Sequence, residues 1–133
     1  MPDKAKPEEM DNSVKDELQG HIVKSITGMV KGIVLNTDGV VRLYGWVVAG
    51  AKQPASGVRI SIKDEAALVD IHIVVGFGKS IPEIARQIQN EVTISFHREF
   101  SDYHLTAVNV WVDGIRFNDE SFEYREQAVE ALE

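Results

Sequence analysis

The sequence predicts an α+β domain: a small mixed sheet of about four strands with helices packed on one face, in the order α-β-β-β-α-β-α. Three observations lead there. Short stretches alternate apolar and polar residues with the two-residue period of half-buried strands, as at Val58–Lys63 and Val108–Val112. Two longer stretches place apolar residues three and four apart, as at Ile22–Ile33 and Ile81–Phe100. Between them, Leu68–Ile88 passes from strand period to helix period within a few residues.

Residues 1–17 mix Lys, Asp, Glu and Pro with almost nothing to bury, and read as a flexible charged tail. The domain then spans 18–117. In its first helix Ile22, Ile26, Met29, Val30 and Ile33 share one face. Gly28 and Gly32 stand four apart there and each costs up to about 1 kcal/mol of helix propensity. A second backbone packed against them would offset that cost. Asn36-Thr37-Asp38-Gly39 is a stop signal.

Val40–Val48 is the first expected strand, and 50–57 (GAKQPASG) reads as a loop by composition. Val58, Ile60 and Ile62 alternate with Arg59, Ser61 and Lys63 to form the second. Asp64-Glu65 turns the chain into the third, where Val69, Ile71, Ile73 and Val75 alternate with Asp70, His72 and Val74. So close a connection predicts an antiparallel hairpin. Gly76 and Gly78 break the strand. Ser80 and Glu83 are spaced as a capping box, and Pro82 fits the first turn of a helix carrying Ile81, Ile84, Ala85, Ile88, Val92, Phe96 and Phe100. A last strand, with Val108, Val110 and Val112 on one face, runs towards Phe117. If it lies parallel to the third strand, the long helix is the crossover between them. Residues 118–133 (NDESFEYREQAVEALE) read as a short amphipathic helix.

The totals narrow the function. A chain of 133 residues fits one domain able to bury roughly two-thirds of its unfolded surface. It has no cysteine, which excludes disulfides, thiolate catalysis and cysteine-ligated metal. A net charge of −7, with Lys and Arg scattered along the chain, argues against nucleic acid as a partner. No stretch approaches the roughly 20 apolar residues needed to cross a bilayer, so direct membrane insertion is not expected.

Each candidate site has a plainer reading beside it. Gly78-Lys79-Ser80 resembles the end of a Walker A loop, but the required earlier glycine position holds Ile73. A weak anion site at a helix N-terminus is what remains, against a structural corner. His21, His72, His97 and His104 show no helical metal-pair spacing, and neither metal nor cofactor is expected. Asp70 and His72 share the polar face of their strand, yet no nucleophile is identifiable beside them, so cross-strand polar pairing is the better account. Trp111, Asn109 and His72 form the candidate interaction surface: a stripe on the side opposite the apolar face.

The run VDIHIVVGFGKSIPEIARQIQNEV, followed by LTAVNVWVDGIRF, resembles the alkaline-shock-protein envelope-stress family of mainly Gram-positive bacteria. Gly39-Val40-Val41 matches the family's turn into its first strand, and the resemblance runs from about Ile22 to Phe117. It implies a small α+β domain without known enzymatic activity. It also implies a cytoplasmic protein that self-assembles as a homo-oligomer and is held at the membrane by a membrane-anchored protein partner. The expected function is therefore a non-enzymatic scaffold or interaction protein in envelope stress. The alternative is a small RNA-binding or anion- or nucleotide-binding module.

Overall fold

The structure is a computed structural model that describes residues 12–45, 56–117 and 123–125. Helix α1 spans Asn12–Leu35, followed by strands β1 (Val40–Leu43), β2 (Val58–Lys63) and β3 (Ala66–Gly76). Helix α2 (Ile81–Glu99), strand β4 (His104–Arg116) and strand β5 (Glu123–Arg125) complete the order. The sheet is mixed. β3 lies at its centre, antiparallel to β1 and β2 and parallel to β4, while β5 runs antiparallel to β4. The parallel β3–β4 pair makes α2 the crossover helix that the sequence suggested.

β1 and β2 share one edge of β3. Val40–Leu43 pairs with Ile73–Val75, and Val58–Lys63 pairs with Ala66–Ile71. His72 bridges the break, its carbonyl accepting from Tyr44 N–H at 2.8 Å and its N–H donating to Gly57 O at 2.7 Å. The two strands therefore act as one interrupted edge strand. The described part of the expected first strand stops at Leu43, and residues 46–48 of that expectation lie outside the described residues.

The expected hairpin is present: Lys63 pairs with Ala66 across a two-residue turn. Asp64 and Glu65 both have positive φ, 52° and 66°, as a type I′ turn requires. Asp tolerates that region and Glu does so poorly, while the turn is best served by Asn-Gly. Replacing the pair by Asn-Gly (Asp64→Asn with Glu65→Gly) is expected to raise stability by roughly 1–2 kcal/mol in thermal or urea unfolding.

One face of the sheet meets both helices. Ala67, Val69, Ile71, Ile73 and Val75 of β3 are essentially inaccessible, packed with Ile26, Val30 and Val34 of α1 and Ile84, Ile88, Val92 and Phe96 of α2. The α2 residues recur every four positions, one stripe facing the sheet. Ser80 caps that helix, its Oγ accepting from Glu83 N–H, and Pro82 lies in the first turn. Ile81, expected on the buried stripe, is 38% exposed because it precedes the first turn that reaches the sheet.

Three expectations need correction. α1 begins at Asn12, so residues 12–17 belong to the helix rather than to a tail; charged, straight-chain residues sustain a helix with little to bury. Glu123–Arg125 forms β5 rather than helix, because the end of β4 at Gly114–Arg116 offers unpaired backbone groups that a strand satisfies. Residues 1–11, 118–122 and 126–133 of those expectations lie outside the described residues. Finally, Gly28 and Gly32 face outward, and a Cβ built on either meets nothing within 4 Å. No described backbone packs on them. Gly28→Ala and Gly32→Ala should each stabilise the fold by about 0.5–1 kcal/mol in chemical denaturation.

Candidate interaction face

The pleat of β3 sends Asp70, His72 and Val74 away from the helices. Register then sets their neighbours on this outer face. Asp70 lies between Arg59 of β2 and Asn109 of β4, and His72 lies beside Trp111. Asn109 donates from Nδ2 to Asp70 Oδ1 at 2.9 Å. The His72 and Trp111 rings stack, with centroids 5.9 Å apart and planes 12° from parallel. His72 Nδ1 and Asp113 Oδ2 are hydrogen-bonded, with both side chains about one-quarter to one-third exposed.

The structure thus gathers Trp111, Asn109 and His72 on one surface. Asp70 and His72 share it without bonding to each other: each takes a partner across the strand, Asn109 for the first and Asp113 for the second. Asp113 was the residue that sequence reasoning passed over. Its signal was present, since it continues the alternation of Asn109 and Trp111. Only the parallel register shows that it reaches His72 diagonally.

Trp111 is 52% exposed, and an open cavity of about 370 Å³ beside it is lined by Arg59, Asp70, His72 and Trp111. The opposite end of the same face is closed: Val74 and Tyr44 are buried, although neither belongs to the helix-side core. Tyr44, His72 and Trp111 therefore stand in one cross-strand row, from buried to exposed.

Charges scattered in the sequence converge here. Arg42 lies opposite Val74, Arg59 opposite Asp70, Lys63 opposite Ala66, and Arg116 opposite Gly76, all on outer-face positions. Among the described side chains, these four cations share the outer-face positions with Asp70 and Asp113, in a chain of net charge −7.

The glycine corner has a different character. Gly78 takes a φ of +92°, Ser80 Oγ is committed to the Glu83 N–H, and Lys79 Nζ lies 3.9 Å from Asp38 Oδ2. A cavity of about 130 Å³ there is lined by Asp38, Lys79, Ser80, Glu83, Ile84 and Gln87, which sets two carboxylates around one ammonium. Among the described residues, no group of three or more His, Cys, Asp or Glu side chains converges as metal ligands. Nor is any described helix long and apolar enough to cross a membrane.

A family profile matches residues 5–117, across both helices and β1 to β4: the alkaline shock protein 23 family, described as having a cell envelope-related function. The chain belongs to that family. The match begins before α1 and ends at the close of β4, so it includes Asp70, His72, Asn109, Trp111 and Asp113 and stops short of β5. A family-like relative is an uncharacterized protein, YqhY, of Bacillus subtilis (strain 168), 24% identical over 115 residues that cover 82% of each chain. Among solved structures, a zinc form of MamM CTD is similar with a TM-score of 0.46 and 11% identity, covering 80% of this chain and 98% of the other. A nickel form of MamM CTD gives a TM-score of 0.41 at 11% identity, covering 72% of this chain and 99% of that one.

Proposed function

We propose that this chain is a non-enzymatic scaffold of the cell envelope stress response, acting by self-association and by contact with protein partners through its outer sheet face. In this reading it is cytoplasmic and is held at the membrane by a membrane-anchored partner. The observation that carries the proposal is Trp111: a large ring, half exposed and stacked on His72, that presents its area at little further entropic cost. Asn109 and His72 flank it as a polar rim with their own hydrogen bonds made. The chemistry of the cavity supports binding over catalysis, because among the described residues its lining holds no hydroxyl or thiol nucleophile beside the His72–Asp113 pair.

Capture from the native membrane fraction on immobilised protein tests the reading. The unaltered chain should retain a defined membrane protein, and Trp111→Ala should lose roughly 30-fold or more in affinity for it, the size of an interface hot spot. Equal retention by both would remove the outer face from the account.

A further inference from the structure

We infer that Asp38 is a site of spontaneous backbone modification, where the Gly39 amide closes on the Asp38 carboxyl to a succinimide that reopens as isoaspartate. An aspartate followed by glycine favours this reaction, because glycine carries no side chain to hinder its amide nitrogen. The chain has two such pairs, Asp38-Gly39 and Asp113-Gly114. The fold treats them differently. Asp38 stands in the turn between α1 and β1, closed by Val40 N–H donating to Thr37 O at 3.2 Å, and its side chain is 92% exposed. Gly39 is the third residue of that turn, with a φ of +99°, as a type II turn requires. Among the described residues, no hydrogen bond holds the Gly39 N–H or the Asp38 carbonyl. The Lys79 ammonium, half exposed and 3.9 Å away, is too loose a partner to fix the carboxylate. The peptide plane between the two residues can therefore turn and bring the nitrogen to the carboxyl carbon. Asp113 is held instead. It lies inside β4 between Val112 and Gly114, which pair with Ile73 and Val74, and Gly114 also pairs with Arg125 of β5. Its carboxylate is hydrogen-bonded to His72 Nδ1.

The reaction balances with water as its sole co-reactant. The Gly39 nitrogen bonds to Asp38 Cγ and gives up its proton, and the carboxyl loses one oxygen as water. Water then adds to either carbonyl of the ring. Breaking the bond from nitrogen to Cγ restores aspartate. Breaking the bond from nitrogen to the backbone carbonyl leaves the chain running through Cβ and Cγ, one atom longer, with a free carboxylate on Cα. That extra atom enters where there is little slack. The Gly39 carbonyl accepts from Gly76 N–H at 3.0 Å, and a Cβ on Gly39 would lie 2.6 Å from Ile84 Cδ1, so its Cα packs closely on α2. The next residue, Val40, opens the pairing of β1 with Val75. Conversion therefore loosens the start of β1, and long-lived copies carry a weakened sheet edge.

The test incubates the full folded chain for weeks at physiological temperature and pH. Mass spectrometry then follows the tryptic peptides 32–42 and 99–116, which carry the two pairs. Peptide 32–42 should split into two forms of equal mass, one of them resistant to an aspartate-specific endoprotease, with a minor form lighter by one water. It should convert roughly tenfold or more faster than peptide 99–116, whose pair must wait for β4 to open. In urea the two should convert at similar rates, because the fold no longer separates them. Asp38→Asn should convert faster still, with loss of ammonia. Asp38→Glu keeps the charge but would have to close a larger ring, and should stay unconverted. The converted chain, separated by ion exchange, should melt roughly 4–8 °C below the fresh chain, while incubated Asp38→Glu melts unchanged. No conversion of peptide 32–42 in the folded chain would overturn the inference, as would equal rates at the two pairs. A converted chain that melts with the fresh one would overturn the effect assigned to β1.

Discussion

Phe96→Ala lowers the free energy of unfolding by about 3–5 kcal/mol in urea titration, a large fraction of what a domain of this size has. Phe96 is fully buried on the last turn of the α2 stripe. Its ring packs near Phe100, with centroids 5.5 Å apart, and it belongs to the cluster joining both helices to β3. Removing it takes away a whole ring's transfer energy and leaves a cavity between rigid elements that cannot close it. Ile94 provides the contrast. It lies two residues away on the same helix and is 61% exposed, so Ile94→Ala should change stability by no more than about 0.5 kcal/mol. Similar losses for the two would contradict the packing described for α2.

Gly39→Ala is expected to cost about 2–4 kcal/mol, from two separable causes. Gly39 has a φ of +99°, which an alanine tolerates poorly. A Cβ there would also lie 2.6 Å from Ile84 Cδ1, a buried atom at the start of α2. The same residue anchors the start of β1, its carbonyl accepting from Gly76 N–H at 3.0 Å. Ile84→Val removes the obstructing methyl and by itself should cost about 0.5–1.5 kcal/mol. In the double variant the 2.6 Å contact disappears and the 3.1 Å approach to Cγ1 remains, so the two losses should fall short of additive by at least about 0.5 kcal/mol. Strict additivity would place the whole effect in the backbone.

These two residues also show what the sequence made legible. The stripe from Ile84 to Phe96 and the stop at Asn36–Gly39 follow from spacing and turn chemistry, which are local. The capped corner from Gly76 to Glu83 was readable for the same reason: its hydrogen bond joins residues three apart. What the sequence hid depends on register. Asp113 and His72 are 41 residues apart, and only the parallel alignment of β3 with β4 brings them together. The basic character of the outer face was hidden in the same way. Arg42, Arg59, Lys63 and Arg116 look scattered along an acidic chain, and their common face appears only once β1, β2 and β4 are aligned on β3. β5 illustrates a third limit. Glu123–Arg125 has helix-forming neighbours, but a strand edge left open by β4 outweighs that propensity.

The family is described as having a cell envelope-related function, and the outer face presents a stacked His72–Trp111 surface. A scaffold works by covering such a surface. The most direct measurement is therefore the accessibility of Trp111 itself, read by acrylamide quenching of its fluorescence in a Trp46→Phe background as protein concentration rises. The account predicts that Trp111 becomes shielded in step with assembly, and that both changes reverse on dilution. Assembly that leaves Trp111 as accessible as in the dilute protein would contradict it.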